Sequence, residues 1–512
     1  MEILSQILAR NVRLVPDRAF IVTETETVTY REFAARTARL ANALAARGVA
    51  KGDRVGLYLP STPLMATAFW ACQRLGAIPA PLSAMFRHAE LRKIVERTQL
   101  KAMIADAATW PYFSEIRGEF PALETCLVAG GTGSGGSLDD AMADASADFH
   151  DIACDFHDVA SLFFTSGTTG TPKGTAQTHF SVTSTLRDMM VSHRARFGQE
   201  VYLCAVPLFT NFGLTVTLNL CLYIGGTIVL HERWDTERVM ADIKRYKATY
   251  FGGTPTMYVY MVNDHDAARH DLSSLRLCIT GGSPVPQPVI RRFEELSGVK
   301  VAQVYGATET CGQNVMEPTA GIRKSGSAGL PVGSSRIAIV GDDGGELPRG
   351  EVGEVIIGGD CVAQGYWGDA EATAAAFVPL GWKSGDLGLL DEDGFLFIVD
   401  RKKDVIIAGG HNIYPLEVES VLYRHPAVGM CAVVGAPDPE KGEIPVAVVV
   451  LHPNASATAD ELRAWCRSEL AAYKAPRRVE IIDVMPVEAA KIRKRDLVEA
   501  LKGEGLDKYR RG

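Results

Sequence analysis

Thr165-Ser166-Gly167-Thr168-Thr169-Gly170-Thr171-Pro172-Lys173-Gly174 decides how the rest of the chain is read. The run directly before it, Val159-Ala160-Ser161-Leu162-Phe163-Phe164, is short and apolar, the pattern of a buried strand, so the segment leaves the end of a sheet. Its residue types suit a polyphosphate. Glycines bring backbone N–H groups close to oxygen, serine and threonine hydroxyls donate further hydrogen bonds, and Lys173 supplies a point charge. The same composition also describes a plain surface turn, and the Walker pattern gives no support, because it demands Gly before the lysine where this chain has Pro172.

At 512 residues the chain is too long for one compact core, so two or more domains are expected. An apolar fraction of 47% and a charged fraction of 22% are those of a soluble globular protein. The net charge of -8 argues against non-specific nucleic-acid binding and against a strongly basic membrane-facing surface. Ten cysteines lie singly between Cys72 and Cys466 with no C-x-x-C pair, which gives neither a zinc site nor a disulfide framework and makes a reducing cytoplasm the expected setting. The N-terminus lacks a basic-then-apolar leader pattern, and Leu4, Ile7 and Leu8 fit an amphipathic helix. From Val201 to Leu230 no residue is charged, a length sufficient to span a bilayer. Pro207, Thr210, Asn211, Gly213, Asn219 and Gly225-Gly226 divide it into strand, buried helix and strand, so no integral membrane span is expected.

Thr29-Tyr30-Arg31-Glu32 has the form of a capping box, after which Phe33, Thr37, Leu40, Ala41 and Leu44 repeat at helical spacing until Gly48. Strand patterns at Val55–Leu59, Ile78–Leu82 and Ala102–Ala105 alternate with helical ones at Thr62–Leu75 and around Leu91, Ile94 and Val95. The Gly/Ser/Thr stretch from Gly130 to Ser137 reads as a surface excursion. Beyond it, strands are expected at Thr227–Leu230, Thr249–Phe251, Leu275–Thr280 and Val299–Val304, with helices at Thr236–Tyr246 and Val289–Leu296. The fold class is therefore α/β, a large N-terminal part of mainly parallel sheets covered by helices.

Three further loops follow these strands: Gly281-Gly282-Ser283-Pro284, Tyr305-Gly306-Ala307-Thr308-Glu309-Thr310, and Gly381-Trp382-Lys383-Ser384-Gly385-Asp386. In open α/β sheets such loops meet where ligands bind. Glu309 suits Mg²⁺ on a triphosphate, since that cation takes few carboxylates plus phosphate oxygens, though a lone loop Glu is ordinarily just solvated. Asp386 suits the vicinal hydroxyls of a ribose. The charge run Asp400-Arg401-Lys402-Lys403-Asp404 reads either as a solvated hairpin or as a boundary, because about a hundred residues with an α+β pattern of their own follow it. This places domains at 1–402 and 403–512.

Taken together, the order and spacing of these loops resemble the adenylate-forming superfamily from Phe33 to Leu497, and within it the acyl-CoA synthetase branch. The resemblance implies that Thr165, Ser166, Gly167, Thr168, Thr169, Gly170 and Lys173 face the β- and γ-phosphates of ATP. It puts Gly282, Ser283, Pro284, Tyr305 and Gly306 around the adenine, Thr308 and Glu309 at the α-phosphate and Mg²⁺, and Asp386 with Arg401 at the ribose. Lys491 looks like the family's mobile lysine, a cation bridging two anions that must meet, and Lys403 sits at the hinge of a small mobile domain. Gly409, Gly410 and His411 would line the tunnel for CoA. Phe209, Phe212, Gly213, Gly252, Gly253 and Ala307 would wall the acyl pocket, with no charge among them.

The implied chemistry is ATP-dependent conversion of a carboxylic acid to an acyl-adenylate and then to a CoA thioester. A hydrophobic fatty acid is the expected substrate; the alternatives are an aryl acid of benzoate or cinnamate type, a stand-alone adenylation domain loading a carrier protein, and a binding protein with weakened catalysis. No carrier domain follows, so CoA is the expected acceptor. The oligomeric state is left open, a homodimer included. Two positions depart from the family pattern: Ala490 replaces the usual Gly before the lysine, and Thr210 stands where His is common.

Overall fold

The computed structural model describes residues 2–131, 135–165, 172–264, 269–283, 285–488, 491–503 and 505–510, with backbone alone at 488 and 491. The N-terminal strand–helix–strand units build a five-stranded parallel sheet. Its strands run in the order Ile78–Leu82, Arg54–Tyr58, Ala102–Asp106, Thr125–Ala129 and Gly136–Ser137. Its helices begin and end where local chemistry dictates. The capping box at Thr29 is formed, Glu32 N–H reaching Thr29 Oγ1 at 3.2 Å while Thr29 N–H donates to the Glu32 carboxylate at 2.8 Å. The helix Pro63–Leu75 starts on a proline and stops at Gly76, whose φ of 68° is left-handed. The stretch read as a surface excursion ends differently: Gly136–Ser137 pairs in parallel with Thr125–Ala129, and Ser137 caps the helix Leu138–Ala143.

A second, nine-stranded sheet has a parallel centre, in the order Val301–Tyr305, Leu277–Gly281, Tyr250–Gly253, Val201–Cys204, Thr227–Leu230 and Ala19–Val22. Antiparallel strands close it at both edges. The uncharged stretch folds as expected, strand Val201–Cys204, a π-helical segment Phe212–Asn219 continuing into Leu220–Tyr223, and strand Thr227–Leu230. Thr217 Oγ1 donates to the carbonyl of Phe212 at 3.1 Å, five residues back, which matches the wider π turn. Among the described residues no helix is long and apolar enough to cross a membrane.

Two elements differ from the sequence reading, and both carry candidate site residues. Lys173–Thr178 is a strand, antiparallel to Val159–Thr165 and pairing on its other side with Gly365–Tyr366. Lys173 and Gly174, read with the loop, thus lie in the second strand of an antiparallel pair. Gly174-Thr175-Ala176-Gln177-Thr178 is buried throughout yet nearly devoid of large apolar residues, so hydrophobic periodicity does not reveal it. The expected loop at 381–386 lies inside the strand Gly381–Leu390 of an antiparallel sheet, where Asp386 sits opposite Arg401 on Leu396–Arg401.

After residue 401 the chain forms a mixed sheet, His411–Ile413, Ile406–Ala408, Gly442–Leu451 and Val428–Asp438, with Arg478–Ile481 added in parallel. The helices Pro415–Leu422, Ala459–Glu469 and Lys494–Lys502 accompany it. Two apolar clusters in this part draw on residues from Ile406 onward and on none before it.

Candidate active site

The carboxyl ends of three adjacent parallel strands bring the central loops together. Gly253 pairs with Thr280 and Gly281 with Val304, so Gly282 and Tyr305 emerge side by side. Gly282 has a φ of 87°, a turn that a glycine takes without strain, and Ser283 is exposed. Ser166, Gly167, Thr168, Thr169, Gly170 and Pro284 lie outside the described residues.

Tyr305 leads into a tight turn that carries the candidate acid. A Cβ on Gly306 would stand 1.7 Å from the carbonyl oxygen of Gly312, so the turn closes only on glycine. Thr308–Thr310 follows as a single 3-10 turn. Gln177 Nε2 holds it, donating to the Thr308 carbonyl at 2.8 Å and to Asn211 Oδ1 at 3.0 Å, which ties the turn to the start of the Phe212–Asn219 segment. Ala307 is half-buried beside it.

Glu309 is only 6% exposed, and burial raises its pKa above the ordinary carboxylate value. Tyr366 Oη donates to Glu309 Oε1 at 3.0 Å and Thr165 Oγ1 reaches the same oxygen at 3.5 Å. Lys173 Nζ lies 4.8 Å from the centre of the Tyr366 ring. The structure thus gathers Thr165, Lys173 and Glu309 around Tyr366, a residue absent from the sequence reading. Nothing local distinguishes Tyr366; it comes into place through the Tyr366–Thr175 pairing of a strand that periodicity concealed.

A second group forms beside it. Tyr305 Oη donates to Asp386 Oδ2 at 2.8 Å, and Arg401 Nε to Asp386 Oδ1 at 3.0 Å. Asp386 is 8% exposed and retains a free lone pair on each oxygen, so it accepts further hydroxyl donors. Burial pushes the Tyr305 phenol well above its ordinary value, so it stays a donor.

The remaining candidates stand elsewhere. Lys403 is exposed in a turn closed by the Asp404 N–H on the Arg401 carbonyl at 2.9 Å. Gly409 and Gly410, with φ of 58° and 82°, make the exposed tip of a hairpin. The His411 ring there lies 4.8 Å from the Tyr473 ring, tilted against it. Lys491 begins a two-residue strand paired with Val487–Glu488. Ala490 lies outside the described residues.

Phe209 and Phe212 are half-buried against the main core. The space beside the three glycines is taken by neighbouring atoms. At Gly213 the space for a Cβ is taken by the Pro207 carbonyl oxygen, 2.3 Å away, at Gly252 by Tyr250 Oη, 2.8 Å, and at Gly253 by the Phe251 ring, 3.0 Å. Thr210, the departure noted above, is structural: its Oγ1 donates to the Pro207 carbonyl at 2.7 Å and accepts the Gly213 N–H at 3.0 Å.

Residues 8–367 match the model of the AMP-binding enzyme family, and residues 417–490 that of the AMP-binding enzyme C-terminal domain. The chain belongs to the AMP-binding enzyme family. Its relatives include a feruloyl-CoA synthase of Amycolatopsis, 36% identical over 93% of this chain and 94% of the relative. A 2-succinylbenzoate–CoA ligase of Bacillus subtilis is 34% identical over 98% of each chain, and a long-chain-fatty-acid–CoA ligase of the same organism is 32% identical over 97% and 94%. The fold matches the anthranilate CoA ligase AuaEII in complex with anthranoyl-AMP, with a TM-score of 0.91 at 29% identity, over 98% of this chain and 97% of that one. MatB of Rhodopseudomonas palustris, 30% identical over 98% of this chain and 99% of its own, superposes with a TM-score of 0.89 in its ATP-bound form and 0.79 in its apo form.

Proposed function

We propose that this family member, an ATP-dependent carboxylic acid–CoA ligase, activates a compact aromatic acid. The observation that carries the substrate class is the filling of Gly213, Gly252 and Gly253 from behind, which supports a short pocket over a deep channel. The feruloyl-CoA synthase and the anthranilate ligase, themselves aryl-acid enzymes, support the same choice. A fatty acid, the substrate expected from the sequence, is the second reading, which the long-chain-fatty-acid–CoA ligase relative supports.

In the proposed mechanism the acid's carboxylate oxygen attacks the α-phosphorus of ATP, the bond to the β-phosphate breaks, and pyrophosphate leaves. The CoA sulfur, its proton lost, then attacks the acyl carbon and the bond to AMP breaks. Glu309, the one carboxylate in its group, fits Mg²⁺ brought on a triphosphate, a cation that takes most of its ligands from phosphate and water. A cation held there would neutralise charge on the phosphates. Lys173 and Thr165 hold the phosphate tail, while Asp386, kept in place by Tyr305 and Arg401, receives the ribose hydroxyls. Thr308 and Lys491 act at the α-phosphate, and Gly282, Ser283, Pro284 and Gly306 pack on the adenine.

We further propose a boundary between 402 and 403, with Lys403 as hinge and Gly409, Gly410 and His411 on the CoA-facing side of the small domain. The separate apolar clusters beyond Ile406 support the division. The better superposition on ATP-bound than on apo MatB supports an adenylate-forming orientation. Ten unpaired thiols support a cytoplasmic location.

The test is pyrophosphate release with Mg²⁺-ATP and CoA over benzoate-, anthranilate- and cinnamate-type acids against straight-chain acids of increasing length. A maximum among the aromatic acids is expected; a maximum among aliphatic ones returns the assignment to a fatty acid.

A further inference from the structure

We infer that Gln177 is a positioning residue for adenylate formation: it sets the plane of the peptide that joins Thr308 to Glu309, and with it the direction of both side chains. The inference rests on the ligase reading above, which puts those two residues at the α-phosphate and Mg²⁺. Gln177 is fully buried, where an apolar side chain would pack without the cost of burying an amide. Both ends of that amide are engaged. Its Oε1 accepts the Ser161 hydroxyl at 3.2 Å, while Nε2 donates to Asn211 Oδ1 at 3.0 Å and to the Thr308 carbonyl at 2.8 Å. A main-chain carbonyl only accepts, so the nitrogen end of the amide is the end that faces it.

The Thr308 carbonyl is the point at which the turn is steered. It accepts the Cys311 N–H at 3.1 Å from within the turn and the Gln177 amide from outside it. In a trans peptide the N–H of Glu309 points opposite to that carbonyl, so fixing the carbonyl fixes the plane, and the Thr308 and Glu309 side chains leave from its two ends. Glu309 has supports of its own, the Ala363 N–H on its carbonyl at 2.9 Å and the Tyr366 hydroxyl on its carboxylate at 3.0 Å. Gln177 supplies the matching support at the Thr308 end.

Both supports come from one sheet. Side chains alternate along a strand, so Lys173, Thr175 and Gln177 share a face, and cross-strand pairing continues that face in Thr165, in Ser161 and, opposite Thr175, in Tyr366. The Gln364 N–H, donating to the Ala176 carbonyl at 2.9 Å, fastens the strand of Tyr366 to that of Gln177. The face that presents Thr165 and Lys173 therefore also grips the turn, at Thr308 through Gln177 and at Glu309 through Tyr366. A buried network with its hydrogen bonds made is rigid, so residue 177 keeps the turn in register with the residues that hold the phosphate tail.

The consequence falls on rate and not on affinity. In the ligase reading Thr165, Lys173 and Asp386 hold ATP by its tail and its ribose before reaction, whereas charge at the α-phosphate changes as the transition state forms. A peptide plane rotated out of line leaves ATP bound and slows its reaction. The Thr308 carbonyl would still keep the Cys311 N–H, so loss of the Gln177 donor does not strand it.

The experiment compares the wild type with Gln177→Met, which keeps the length of the side chain and removes its donors. It measures kcat and the KM for ATP in pyrophosphate release, with the best acid of the panel above, and calorimetric binding of Mg²⁺-ATP in the absence of acid. The variant is expected to lose about tenfold in kcat, the size of one hydrogen bond, with the KM for ATP and the calorimetric Kd within about twofold of wild type. A kcat within twofold of wild type overturns the inference, as does a loss carried by KM and Kd; either leaves the ligase reading standing, because the wild type turns over. A wild type silent across the whole panel overturns both. Should Gln177→Met fail to fold, Gln177→Asn, which keeps the amide and draws it back by one carbon, is read by the same division between kcat and KM.

Discussion

The carboxylate of Asp400, at the end of the strand Leu396–Arg401, accepts the backbone N–H of Leu416 at 2.9 Å, in the first turn of the helix Pro415–Leu422. Pro415 has no N–H to give, so Leu416 supplies the free donor of that helix end, and a carboxylate there also complements the helix dipole. The bond links the strand before the turn at 402–404 to the first helix after it. Asp400 is 2% exposed, and burial pushes its pKa up to about 6. The unfolded chain releases this proton near pH 4 and the folded chain near pH 6, so stability from this group is present below pH 4 and falls as pH rises to about 6, by about 3 kcal/mol in all. Asp400→Asn keeps an acceptor and removes the titration. The Tm of the variant minus that of the wild type should therefore grow between pH 4 and 6 and level off above; a difference independent of pH sinks the assignment.

Tyr366 joins two candidate groups, with its hydroxyl on Glu309 at 3.0 Å and Lys173 near its ring, and that hydroxyl also accepts Trp382 Nε1 at 3.4 Å. Tyr366→Phe keeps the ring for Lys173 and withdraws only the donor to Glu309. We expect the Mg²⁺ concentration for half-maximal pyrophosphate release to rise about tenfold, the range typical for loss of a partner that orients a ligand. An unchanged Mg²⁺ dependence would mean that Tyr366 merely packs.

Gly306→Ala places a methyl group 1.7 Å from the Gly312 carbonyl oxygen and 2.7 Å from Asn314 Oδ1. Backbone must shift, and the shifted segment is the turn that carries Thr308 and Glu309. Loss of about 2 kcal/mol of stability is expected, with adenylate formation falling at least a hundredfold in protein that is still folded. Retention of normal adenylation in the folded variant would show that the turn tolerates displacement.

The legible part of this protein is the part built on hydrophobic period and capping. The helix Thr236–Tyr246 and the strand Ile78–Leu82 have the bounds expected of them, because Gly76 and the Asp235 cap mark local boundaries. Glu309 and Asp386 were legible as candidate carboxylates from their loops. Their partners were not: Tyr366 and Gln177 owe their positions to strand pairing with residues far away, and Lys173–Thr178 is buried without being apolar. The surroundings of Gly213 and Gly252 were not legible for a related reason. A missing side chain signals space only when no neighbour fills it, and the neighbours here are the Pro207 carbonyl and the Tyr250 phenol.

Lys491 tests the division of labour between the two half-reactions. Its strand pairs with Val487–Glu488, and the helix Lys494–Lys502 follows directly. That helix is anchored at its start, where Lys494 Nζ meets Glu419 at 2.7 Å, and Glu419 in turn accepts the Val433 N–H at 2.7 Å. The lysine thus precedes a helix anchored within the part of the chain that follows residue 402, and in the proposed mechanism its reach toward the α-phosphate follows the orientation of that part. A cation between a carboxylate and a phosphate serves only the step in which those two anions react. Lys491→Ala should then lower adenylate formation by a thousandfold or more, on the order of the loss of a catalytic charge, and leave conversion of supplied acyl-adenylate and CoA to the thioester within about threefold of wild type. Both rates are read separately, the first as pyrophosphate release and the second as AMP release from the synthetic adenylate. Equal loss in both would place Lys491 outside this role and favour a general effect on how the small domain folds.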